Sequence, residues 1–146
     1  MDYTVNYITM CEKAIEIQER WTPKEGDFIL NTSAQNGKGH IFINYKYQPN
    51  SHCTRWELIY PIKIYKFNIW LPRIDQFMKM SPRPWPAFDT NSLIIASKTL
   101  NKFPEIIGYP CMTSDVFSKE MASLMLIMKE LYNKMWNGID WVIWEK

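Results

Sequence analysis

Apolar residues recur at steps of three and four in two stretches of the chain, and at alternate positions between them. In the first stretch, Ile8, Cys11, Ile15 and Trp21, with Ala14 beside them, keep mostly helical spacing, while Glu12, Glu16, Glu19 and Arg20 fill the other side. This pattern predicts an amphipathic helix. Thr22-Pro23-Lys24-Glu25-Gly26-Asp27 stops it, and Phe28-Ile29-Leu30 reads as a short strand after the turn cluster. In the second stretch Ser118 is an N-cap, and Met121, Leu124, Met125, Met128, Leu131, Tyr132 and Met135 trace an apolar stripe. The expectation is a helix from about Ser118 to Met135, a stop at Gly138, and a tryptophan-rich terminal strand through Trp144.

Between these helices the period changes. Ser33 to His40 is polar and carries Asn36-Gly37, a tight-turn pair, and Ile41 to Tyr47 beyond it is rich in strand formers, so a hairpin is expected. Arg55 to Tyr60 and Ile62 to Phe67 are two further strands, or one edge strand bulged at Pro61, which has no amide to donate. Trp70 to Met80 reads as a short helix with Pro72 in its first turn, and Ser81 to Pro86 as loop. Asp89 to Lys102 fits a buried strand or a short helix, with its flanking Asn, Ser and Thr residues favouring helix. Together these elements predict a single α+β domain over residues 1–146. Its antiparallel sheet has about four or five strands, packed by an N-terminal and a C-terminal helix.

A length of 146 residues suits one domain, and 47% hydrophobic with 22% charged residues is a globular composition. The longest apolar runs, Leu93 to Ala96 and Leu124 to Met128, fall well short of the roughly 20 residues that span a bilayer. Met1 to Asn6 has neither the basic start nor the apolar stretch of a secretory signal, so a cytoplasmic protein is expected. Cys11, Cys53 and Cys111 are widely spaced and fit reduced thiols. A net charge of +2 carries no nucleic-acid signal by itself.

Catalytic and metal chemistry find little footing. His40 and His52 are the only side chains with an ordinary pKa near neutrality, and His52-Cys53, the best local pair, is adjacent in sequence where catalytic dyads are usually distant. A zinc site from His40, His52, Cys53 and Cys111 would have spacings unlike compact zinc modules. Gly37-Lys38-Gly39 lacks the frame and hydroxyl of a phosphate loop. No catalytic residue, metal or cofactor is expected on this footing. A small enzyme using Asp75, or His52 with Cys53, is the third-ranked alternative.

Binding is better founded. Seven Trp, eight Tyr and seven Phe exceed what one small core consumes, so some aromatic side chains should meet a partner. Trp70 with Arg73, and Trp85 with Arg83, are the candidate contacts, and Asp75 beside Arg73 joins them although a first-turn acid is favoured by the helix dipole alone. Tyr45, Lys46, Tyr47, Tyr65 and Lys66 offer an aromatic and basic sheet face for single-stranded RNA, without an accompanying RNA-recognition pattern.

Trp70-Leu71-Pro72-Arg73-Ile74-Asp75-Gln76 and Met128-Lys129-Glu130-Leu131-Tyr132-Asn133-Lys134-Met135-Trp136-Asn137-Gly138 resemble a group of small phage and prophage proteins of Gram-positive bacteria. Met10 to Ala14, Ile17-Gln18, Trp21 and Gly26-Asp27 are similar to the same group, whereas Ser81 to Thr113 matches nothing in it. No chemistry is assigned to the group. The resemblance implies a phage setting and a non-catalytic accessory protein that binds a host component to blunt a defence system. A host protein is the first expected partner. Sequestration of a nucleotide-like small molecule or of single-stranded nucleic acid is the alternative, a membrane is not expected, and a homo-oligomer is left open. A protein-binding inhibitor would expose a contiguous aromatic patch; a nucleotide binder would have a deep pocket of aromatics and a few basic groups.

Overall fold

The computed structural model describes residues 1–22, 24–31, 39–43, 56–58, 68–104 and 117–145. Helices α1 (Val5–Lys13) and α2 (Ile15–Arg20) lead into strands β1 (Phe28–Asn31), β2 (Gly39–Ile43), β3 (Trp56–Leu58) and β4 (Asn68–Leu71). Helices α3 (Ile74–Met80), α4 (Trp85–Lys102) and α5 (Lys119–Tyr132) follow, then strands β5 (Lys134–Trp136) and β6 (Trp141–Ile143). The mixed α+β class expected from the sequence holds. Among the described residues, no helix is long and apolar enough to cross a membrane.

Helix α5 is the centre of the fold. Every residue from Met121 to Met128 is buried, Ser123 included, so the apolar stripe seen in the sequence is a helix enclosed on all sides. It packs against α4, α3, α1 and β5, while the main helical cover of the sheet is α1 against β4. Ser118 caps its N-terminus as expected, its side chain accepting the Met121 amide at 3.1 Å.

The C-terminal end differs from expectation. Asn133, in the left-handed region at φ 53°, ends the helix, a conformation that asparagine tolerates better than most residues. Met135 belongs to β5, and Gly138 (φ 96°) turns the β5–β6 hairpin in place of stopping a helix. The terminal segment is therefore a hairpin, with Trp136 opposite Trp141. Its Trp141 indole donates to the Met10 carbonyl at 3.0 Å, which fastens it to α1.

Three other expectations are corrected. The first helix is broken at Ala14 (φ −79°, ψ 62°) into α1 and α2. Trp70 and Leu71 are strand residues of β4, not helix; α3 begins only after Pro72 and Arg73, because Pro72 disfavours helical backbone in the residue before it. The expected 81–86 loop is shorter, since α4 starts at Trp85 with Pro86 tolerated in its first turn. The choice of helix for Asp89 to Lys102 is borne out. The expected hairpin partner of β1 is β2, antiparallel with Leu30 opposite Ile41. The expected strand residues 44–47, 55 and 59–67 lie outside the described residues.

The four strands pair in the order β3-β2-β1-β4. Side chains alternate across a strand, so Leu30, Ile41 and Ile69, which lie opposite one another, share the buried face, while Trp70, opposite Ile29, is on the other. Among the described residues no strand pairs with the second edge of β4, and Gln18 closes it at Trp70. Its amide nitrogen donates to the Trp70 carbonyl and its oxygen accepts the Trp70 amide, both at 2.9 Å, as a neighbouring strand would.

Gln18→Ala leaves both groups of Trp70 unpaired and is expected to cost ~1–3 kcal/mol, read from the urea midpoint. Loss of hydrogen-exchange protection at the Trp70 amide, with that of Leu30 retained, would locate the effect at this edge. Unchanged protection at Trp70 would exclude the strand-like role.

Candidate functional site

A cleft of about 680 Å³ opens where α2, the α2–β1 connection, β4, α3 and the end of α5 converge. Small-molecule sites usually measure roughly 300–1,000 Å³. Ile17 and Arg20 come from α2, and Trp21, Thr22, Lys24 and Asp27 from the connection after it. Strand β4 supplies Trp70, α3 supplies Gln76, Lys79 and Met80, and α5 supplies Leu131 and Tyr132.

The aromatic wall is a stacked pair. Trp21 and Trp70 lie with ring centroids 5.8 Å apart and planes 8° from parallel. Trp70 stands on the sheet face away from Leu30 and is buried because Trp21 covers it; its buried Nε1 has no hydrogen-bond partner among the described residues. Across the cleft, the Arg20 guanidinium lies over the Tyr132 ring at 5.3 Å.

Trp21 is held by Asp27, which is 2% exposed. One carboxylate oxygen accepts the Trp21 indole N–H at 2.8 Å and the Lys24 amide at 2.7 Å; the other accepts the Gln76 side-chain N–H at 2.5 Å. The oxygen of the same Gln76 amide accepts the Arg73 backbone N–H at 2.8 Å, so Gln76 is engaged at both ends. Arg73 in turn donates to the Gly26 carbonyl. Gly26 has φ +85°, a left-handed conformation that a side chain would strain. One acid thereby ties the connection to α3 and fixes the orientation of the indole that faces the cleft.

Of the candidate residues chosen from the sequence, Trp70 alone lines this cleft. Arg73 and Asp75 stand together at the start of α3, paired at 2.9 Å, with Lys79 3.9 Å from Asp75 and Arg73 also over the Phe28 ring. The hydrogen-bonded Arg73 guanidinium holds the Asp75 carboxyl below the usual carboxylate range, against an opposing push from burial. Arg83 is paired with Glu130, and Trp85, 45% exposed, stacks on Phe88 within α4. His52, Cys53, Cys111, Tyr45, Lys46, Tyr47, Tyr65 and Lys66 lie outside the described residues. Trp21, Asp27, Gln76, Arg20, Lys79 and Tyr132 are the site residues that sequence reasoning missed. The signal for Trp21 and Asp27 was local: an indole and an acid flanking a Pro-Gly turn six residues apart.

Arg20 and Lys79 each occupy the last turn of a short helix, where the dipole favours a cation by ~0.3–1 kcal/mol. That accounts for their place on each helix and not for their meeting around one aromatic cleft. The lining carries the cations Arg20, Lys24 and Lys79 and the acid Asp27, with Asp75 3.9 Å from Lys79 at its edge. Among the described residues, no group of three His, Cys, Asp or Glu could hold a metal ion. No family model, curated protein or solved structure matches this chain.

Two outcomes follow. Asp27→Ala leaves three part-buried donors without their acceptor and is expected to cost ~1–3 kcal/mol in urea unfolding, with a shifted tryptophan emission as Trp21 loses its anchor; an unchanged emission maximum would remove Asp27 as the anchor. For Asp75 the folded carboxyl is depressed, so its pairing stabilises the fold at neutral pH and is lost as pH falls through the depressed value. Because the pair is half exposed the effect is small, and Arg73→Ala should raise the NMR titration of Asp75 toward the ordinary carboxylate range, with Lys79 still holding it down in part.

Proposed function

We propose that the protein is a binding protein whose cleft takes a flat, anionic small molecule of the nucleotide class. The observation that carries this reading is the union in one cleft of the Trp21–Trp70 stack with Arg20 and Lys79. An aromatic ring of a ligand gains by stacking against an indole whose position is already fixed, and a phosphate gains from cations at the rim. The one acid of the lining is turned inward, its oxygens saturated by protein donors, so it opposes an anion less than an open carboxylate would.

The expectation of a host-protein partner is supported less well. Among the tryptophans whose burial is described, Trp85 alone is more than about a third exposed, and Arg83 beside it is engaged by Glu130. In the phage setting that the sequence resemblance implies, stoichiometric withdrawal of a host nucleotide is the role this cleft fits, with sequestration in place of turnover.

Titration of AMP into the protein is expected to quench tryptophan emission saturably, with a matching heat by calorimetry. Arg20→Ala and Lys79→Ala should each weaken binding ~5–10-fold, the equivalent of about 1–1.4 kcal/mol for a rim cation. Absence of a saturable response to AMP, GMP, CMP and UMP at millimolar concentration would reject the reading.

A further inference from the structure

The amide, carboxylate and indole groups of the lining are already occupied or buried inside the protein. Discrimination between bases requires a donor or acceptor of fixed sense presented to the ring edge, because a site built for one edge leaves its own groups unpaired with another. Gln76, the amide in the lining, spends its N–H on Asp27 and its oxygen on the Arg73 backbone. Asp27 spends both oxygens on Gln76, Trp21 and Lys24. The Trp21 indole N–H points to Asp27, and that of Trp70 is buried.

The neutral side-chain groups left in the lining are the hydroxyls of Thr22 and Tyr132. A hydroxyl donates or accepts as its neighbour requires, so it accepts either sense of base edge. Beside them stand the aromatic face, which every base can meet, and the donors of Arg20 and Lys79, which a phosphate engages whatever base it carries.

Resting on the binding reading above, we infer that this cleft recognises nucleotides by ring face and phosphate charge and is indifferent to base identity. Purine and pyrimidine monophosphates bind as one class, and nucleosides without phosphate bind poorly. The Asp27–Gln76 pair serves to orient Trp21 and not to read the ligand.

The test is calorimetry of the intact protein with AMP, GMP, CMP, UMP and adenosine at two salt concentrations. Support is dissociation constants for the four nucleotides within ~5-fold of one another, adenosine at least ~10-fold weaker than AMP, and nucleotide affinity that falls with salt. Lys79→Gln should weaken all four equally, with circular dichroism and the urea midpoint confirming that the variant is folded. One nucleotide favoured more than ~10-fold over the rest, a preference of about 1.4 kcal/mol, would overturn the inference while leaving nucleotide binding intact. Adenosine binding as tightly as AMP would overturn it through the charge. Failure of all five ligands would remove the binding reading itself.

Discussion

A helix that is apolar on every side cannot be left at a surface, and the fold is organised by that constraint. From Met121 to Met128 no residue of α5 reaches solvent appreciably, which makes α5 an axis to be enclosed and not a lid laid over a sheet. Helices α1, α3 and α4 and strand β5 form the enclosure. Long-range ties keep it shut: the Tyr7 hydroxyl donates to the Pro72 carbonyl from the fully buried face of α1, and the Trp141 indole donates to Met10. Burial holds the Tyr7 phenol well above its usual pKa, so this donor stays protonated.

The cleft lies where that enclosure ends. Leu131 and Tyr132, in the last turn of α5, emerge beyond the buried run, and Leu131 is 41% exposed. Around this exit the ends of α2 and α3 place Arg20 and Lys79, and the α2–β1 connection places Trp21 and Asp27. Rigidity here has a functional meaning. A ring fixed by a saturated carboxylate loses little freedom when a ligand stacks on it, so less of the contact energy is lost to ordering. The same saturation removes the groups that would otherwise discriminate among ligands.

Local chemistry made part of this legible in the sequence. The Ser118 cap, the strand at Phe28, the β1–β2 pairing and the helix across Asp89 to Lys102 each rest on signals within a few residues. The end of α5 was hidden because Met135 continues the helical spacing although it belongs to a strand, and Asn133 carries no signal as strong as glycine for the left-handed turn. The split at Ala14 was hidden because α2 resumes in a register that keeps Ile17 buried. Trp70 was singled out as an aromatic anchor beside Arg73, yet its role depends on Gln18, 52 residues away, and on Trp21. Asp27 read as a turn residue and Gln76 as a helix polar residue; only tertiary contact makes them one network.

The order of the elements along the chain bears on biosynthesis. A ribosome delivers α1, the sheet, α3 and α4 before α5, so the nascent chain presents their core-facing residues, Tyr7, Ile8, Phe77 and Phe88 among them, with the axis they wrap still missing. The core therefore closes only when α5 has been made, because α1, α3 and α4 bury these residues against it.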